Sequence, residues 1–166
     1  MSESVIDQVA VEFREVMARV CTPVAVITAF DDARPHGTTV SAFTSLSMGP
    51  PMILVSLDRG SDLLAIVRRT GEFGVNVLAH DQADVAMRFA RKGADKFDGI
   101  GWTESARVPR ISGSAGWLAC TTETLVDGGD HVVVLGNIVE TGLTPAAPLT
   151  YHDRVFGTHR AFEAAS

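Results

Sequence analysis

A mainly β fold, an antiparallel barrel with helices packed outside it, is what this chain of 166 residues predicts. Runs of β-branched and apolar residues outnumber amphipathic helical runs, short turns rich in Asp, Gly and Pro separate many of them, and no regular strand-helix-strand alternation appears. At 46% hydrophobic and 20% charged, the chain carries enough apolar material for one globular domain, expected to span residues 1–166.

Val5, Ile6, Val9, Phe13, Val16, Met17 and Val20 recur at three- and four-residue spacing, with Glu12, Arg14 and Glu15 between them. That pattern is an amphipathic helix, and Pro23 ends it. PVAVITAF then reads as a strand, DDARPHG as a turn, and Thr38 to Phe43 as the second arm of a hairpin. After Gly49-Pro50-Pro51, MILVSL is apolar at nearly every position, which predicts a strand buried on both faces. Ser61 is a candidate N-cap for a helix over Leu63 to Thr70, with Gly71 as its stop. EFGVNVL gives a fourth strand, and Asp81 can cap the helix DQADVAMRFAR, whose Val85, Ala86 and Phe89 face inward. KGADKFDGIGWTES has no periodicity and reads as a functional or subunit-contact loop. Gly116 to Val126 and His131 to Thr141 flank Asp127-Gly128-Gly129-Asp130, a strong hairpin signal. The tail from Leu143 is partly extended and aromatic.

A net charge of −6 with scattered Lys and Arg argues against a nucleic-acid partner. The N-terminus lacks a basic-then-apolar leader and no apolar run approaches the ~20 residues of a membrane span, so a cytoplasmic protein with no membrane partner is expected. Cys21 and Cys120 lack C-x-x-C spacing and are expected as buried, reduced thiols. Gly99-Ile100-Gly101 follows a loop and has no third glycine, and Gly113-Ser114-Ala115-Gly116 fails the nucleophile-elbow spacing, so neither a dinucleotide fingerprint nor an acyl-transfer site is expected. The histidines include no pair at zinc spacing, so no metal is expected.

One stretch resists a purely structural reading. HGTTVSAFTSLSMGPP concentrates hydroxyls and small side chains in an extended segment. The residues alone leave two readings: a Thr-rich barrel strand that suits the pleat, or a surface on which a flat, polar-edged ligand lies.

HGTTVSAFTSLSMGPPMILVSLDRGSDLL, EFGVNVLAHDQADVAMRFA, DKFDG, GGDHVVVLGNIVE and PLTYHDRVFG, in that order over roughly Phe13 to Phe162, resemble the flavin reductase-like family. The resemblance implies an FMN-binding split β-barrel with Greek-key-like antiparallel strands and flanking helices. It also implies a homodimer that transfers hydride from NADH or NADPH to FMN or FAD and supplies reduced flavin to a flavin-dependent monooxygenase. The alternatives on the same barrel are a flavin-binding protein without reductase activity and another oxidase. Carried over by resemblance, Thr38, Thr39, Val40, Ser41 and Ala42 face the flavin ring, with Asn76, Val77 and Leu78 beside it. Ser56 and Leu57 lie by the ring or ribityl chain. Ser61 meets the phosphate at a helix N-terminus, where Asp62 is an awkward neighbour that Arg59 could offset. Arg91 or Lys92 reaches the same phosphate, and Phe97 is a lid or cofactor contact. His131 contacts the nicotinamide as the catalytic candidate. Tyr151 and His152 close the flavin site, with His159 and Arg160 as weaker candidates.

Overall fold

The computed structural model describes residues 3–93 and 95–162; Ala94, within the predicted loop, lies outside them. Helix α1 (Glu3–Ala18) comes first, followed by the short strand β1 (Thr22–Pro23). Strand β2 (Ala25–Asp31) is the pivot of the fold. Successive side chains of a strand point to opposite faces, and in β2 both faces are covered. Ala25, Ile27 and Ala29 enter one hydrophobic cluster, while Val26, with Val24 just before the strand, enters another.

The turn after β2 is tighter than its sequence suggested. Asp31 pairs with Arg34 and Asp32 takes φ 53°, so Arg34 to Gly37 already belong to β3 (Arg34–Val40). The chain then bends at Ser41 and Ala42 before β4 (Phe43–Met48), which splits the strand expected from Thr38 to Phe43. That bend governs the architecture. The remaining strands of the main sheet are β5 (Pro51–Asp58), β6 (Glu72–Val77), β9 (Gly116–Gly128) and β10 (His131–Leu143), in the order β3-β2-β6-β9-β10-β5-β4, with every pairing antiparallel. β3 and β4 are therefore opposite edges of a seven-stranded sheet. Laid flat, those edges would be about 29 Å apart at ~4.8 Å per strand, yet Val40 and Phe43 are only three Cα steps apart, at most about 11 Å. The sheet must roll. No strand pairing joins β3 to β4, so the roll stays split along that seam.

Helix α2 (Asp62–Thr70) packs Leu63, Leu64, Ile66 and Val67 against Ile27, Val55, Phe73 and Val75 in the first cluster. Ser61 is its N-cap, accepting from the Leu64 N–H at 3.0 Å, and Gly71 ends it at φ 71°. Helix α3 (Ala83–Ala90) sets Ala86 and Phe89 against Val24, Val26, Leu78 and Leu149 in the second. Its N-cap is Gln82, not Asp81; the Gln82 amide accepts from Ala79 N–H and donates to the Ser112 carbonyl.

Strand β5 is buried on one face only. Ile53, Val55 and Leu57 are in the core while Met52, Leu54 and Ser56 are half-exposed, because no helix covers the outer face of β5 beside the β4 edge. The glycine-rich stretch after α3 is only partly loop, since β7 (Trp102–Ser105) and β8 (Val108–Ile111) form a hairpin turned by Ala106 and Arg107 at positive φ. In the tail, β11 (Leu149–His152) and β12 (Val155–Thr158) pair with each other, and β11 with β1. Cys120 is buried, which pushes its thiol up to about 12. Cys21 is exposed at the junction of α1 and β1, against expectation, because α1 leaves its apolar side uncovered.

Candidate functional site

Three elements meet at one end of the seam: β3, the start of α2 and the end of α3. Between them lies a cleft of about 570 Å³, within the range of small-molecule sites. It brings together Thr38, Ser61, Arg91, Lys92 and Phe97 from the sequence-derived set, together with His36 and Lys96, which that set omitted.

Each wall has a local cause. Gly37 lets β3 approach α3, because a Cβ there would come within 2.8 Å of the Phe89 ring. Thr39, predicted to face the ligand, instead donates its hydroxyl to the Ala86 carbonyl at 2.6 Å and so fastens β3 to α3. The floor is aromatic: Phe97 meets Phe89 edge-on at 4.8 Å between centroids and Trp102 at 5.9 Å. At the α2 end, Asp58 accepts from the Gly60 N–H at 2.7 Å, which shapes the turn leading to Ser61.

The electrostatics favour an anion. Arg91 and Lys92 are exposed at the rim and the half-buried Lys96 lies deeper, while Asp58 and Asp62 are the opposing charges. The first N–H groups of α2 and its dipole add positive potential at Ser61. Burial pulls the Lys96 ammonium below its usual range, against the attraction of Asp62. His36 presents a buried Nε2 without a hydrogen-bond partner, 4.0 Å from an Asp31 carboxylate oxygen. Arg59 does not offset Asp62 in the cleft. Its guanidinium is spent on the β9-β10 turn, donating to the Gly129 carbonyl at 2.9 Å and pairing with Asp127 at 2.8 Å.

That clip positions His131. Its cross-strand neighbour on β5 is Asp58, a cleft residue. His131 Nδ1 lies 2.7 Å from Asp130 Oδ1, and this hydrogen bond holds the Asp130 carboxyl below the usual carboxylate range.

Several expected contacts serve the fold instead. Asn76 is fully buried, accepts from the Ile111 N–H at 2.7 Å and donates to the Val26 carbonyl and Thr28 hydroxyl, so its amide has no face left for a ligand. Leu57 and Leu78 are core residues, and Val40 and Val77 pack against the core. Ser41 and Ala42 are exposed at the bend, where the Ala42 carbonyl accepts from Ser56 N–H. Tyr151 meets Phe156 at a tilt, with ring centroids 5.1 Å apart, in the three-stranded sheet; it, His152, His159 and Arg160 are exposed, and none lines the cleft. No described helix is long and apolar enough to cross a membrane.

A rolled antiparallel sheet, left open on one seam with a cleft at its end that carries Arg91, Lys92 and Lys96, defines a split β-barrel. The chain belongs to the flavin reductase like domain family, whose model matches residues 17–160. It is 41% identical over 146 residues to the actinorhodin polyketide dimerase of Streptomyces coelicolor, covering 86% of this chain and 82% of that one. It is 36% identical to the reductase component of a 4-nitrophenol 4-monooxygenase/4-nitrocatechol 2-monooxygenase from Rhodococcus opacus, covering 88% and 79%. The Streptomyces globisporus NADH:FAD oxidoreductase, solved with NAD and FAD fragments, superposes with a TM-score of 0.85 at 28% identity and covers 93% of each chain.

Proposed function

We propose that this protein is an NAD(P)H-dependent flavin reductase that transfers hydride from NADH or NADPH to FMN or FAD and hands reduced flavin to a separate flavin-dependent monooxygenase. The observation that carries the reading is the cation-lined cleft at the open seam, on a chain whose family model covers residues 17–160. The donor set fits a flavin: the Arg91 and Lys92 cations at the rim, the half-buried Lys96 and the N-terminus of α2 suit an organic phosphate.

A bound flavin supplies the hydride acceptor, which is the cofactor's own chemistry. The chain's residues bind and orient. Ser61 and the N-terminus of α2 take the phosphate with Arg91 and Lys92. Thr38, Ser41 and Ala42 lie along the seam for the ring, and Phe97 closes the floor. His131, steadied through Nδ1 by Asp130, keeps Nε2 for the nicotinamide carboxamide and holds the donor ring in register. No acid-base pair is required.

A homodimer is part of this reading. The α1 residues Ile6, Val9, Phe13 and Val16 are each at least half exposed, an apolar stripe of the kind that marks a protein–protein contact. A cytoplasmic location suits both the need for a nicotinamide pool and the free thiols Cys21 and Cys120.

The test is initial-rate oxidation of NADH and NADPH with FMN, with FAD and with no added flavin, in wild type and His131→Ala. Oxidation that requires flavin and falls about tenfold or more in the variant supports the reading. No oxidation with any flavin sinks it.

A further inference from the structure

A second hollow, of about 360 Å³, lies between the end of β2, the last turn of α2 and the β7-β8 hairpin. It shares no lining residue with the cleft. The two back onto one aromatic contact: Trp102 lines the hollow, Phe97 lines the cleft, and their rings meet edge-on at 5.9 Å. The wall of the hollow is Trp102 with Phe30, ring centroids 5.8 Å apart and tilted by 59°, and both residues are half-buried. Trp102 and Glu104 stand two residues apart on β7, so their side chains leave the same face of the strand. The Glu104 carboxylate therefore lies on the indole side of the hairpin.

Charge in the hollow is unbalanced. Arg107 pairs with Glu72, and Arg69 with Asp31 and, at 4.0 Å, with Asp32, which leaves Glu104 without an ion pair among the described residues. Four carboxylates set against two guanidiniums give the hollow a negative potential. The one cation–π contact among the described residues is Arg110 over Trp117 at 5.1 Å, so neither Arg69 nor Arg107 caps the Trp102 ring.

We propose that this hollow is a binding site for a small organic cation, an ammonium or pyridinium group on a body of about one ring, which stacks on Trp102 and takes Glu104 as its counter-ion. An aromatic face attracts a cation through its quadrupole, and tryptophan does so most strongly. A carboxylate beside that face supplies the opposite charge within a recess, where salt screens it less than on an open surface. An anion would first have to displace Glu72 or Asp31 from its arginine. The volume is at the low end of small-molecule sites, which suits one substituted ring. The site stands apart from the flavin reductase reading and does not rest on it.

The test titrates the full chain with benzyltrimethylammonium, benzyl alcohol and benzoate, which share a ring and differ in charge. Binding is followed by NMR at the indole N–H groups, of which the chain has two. Trp102→Phe identifies the Trp102 signal, and the signal of Trp117, buried in the core, reports that the fold is intact. We expect benzyltrimethylammonium to move the Trp102 signal saturably and to bind about fivefold or more tightly than either other probe. Glu104→Gln, at an exposed position, should weaken that binding about fivefold, and Arg107→Gln, which releases Glu72, should tighten it about twofold. Equal affinity for the three probes would overturn the proposal in favour of a merely apolar recess, and a preference for benzoate would give the deciding charge to the arginines. Affinity unchanged in Glu104→Gln also overturns it. Displacement of the cation by saturating FMN would put the probe in the cleft and overturn it, as would the lack of any saturable shift. Hydride transfer to flavin is scored separately, by NADH oxidation, so these results leave that reading where it stands.

Discussion

The cleft beside α2 and the apolar stripe of α1 are both open to solvent, yet they are unfinished in opposite ways. The cleft is braced by ties within this chain: Thr39 fastens β3 to α3, Lys96 bridges the same two elements, and Arg59 ties the β9-β10 turn to the strand that leads into α2. Its three cations and the N-terminus of α2 suit a small anion. The α1 stripe is tied to the body at its C-terminal end, through Glu15 to Arg154 and the Asp153 N–H to the Ala18 carbonyl, and Phe13 is 63% exposed. Its exposed apolar side chains suit a protein surface. Polar sites are completed by ligands with few atoms and strong directional bonds, whereas an apolar helix face requires several hundred Å² of complementary protein.

Substitutions can break the two regions separately. Gly37→Ala drives a methyl against Phe89 and the Ile27 carbonyl, so we expect a loss of about 1–3 kcal/mol in chemical denaturation together with weaker FMN binding. Unchanged stability would mean that β3 and α3 are not locked by close contact. The paired substitution Phe13→Asp, Val16→Asp leaves the cleft untouched and should shift sedimentation from dimer to monomer. A dimer that persists would locate the interface elsewhere. The smallest change is Ser61→Ala, which removes the α2 cap and should cost about 1 kcal/mol and reduce FMN affinity more than riboflavin affinity. A parallel loss for both flavins would assign Ser61 to the helix alone.

Features set by adjacent residues were legible in the sequence. Ser61 and Gly71 bound α2, and Gly129, at φ 66°, turns the long β9-β10 hairpin, because capping and positive φ depend on the identity of one residue. The rolled sheet was legible as a class, and the resemblance drew attention to Thr38, Ser61, Arg91, Lys92 and Phe97, which the fold gathers into one cleft. Where distant contacts decide, the sequence misled. The bend at Ser41 and Ala42 carries no Gly or Pro, and the β7-β8 turn uses Ala106 and Arg107 in place of the usual Asn-Gly. Asn76 was expected beside the ring because its segment resembles the family's. Its amide satisfies backbone groups on β2 and β8, and a polar residue within a strand otherwise so apolar is the signal that could have said so. Lys96 carries no such signal, because a loop lysine reads as solvated until its two carbonyl partners are known.

The open seam has one more consequence. Among the described residues no strand pairs with the outer edges of β3 and β4, so the groups offered there belong to the main chain and are the same whatever side chains stand at Thr38 to Ala42. A ligand read in this way is insensitive to alanine scanning, which removes side chains and leaves amides in place. Only proline, which deletes an N–H, would register.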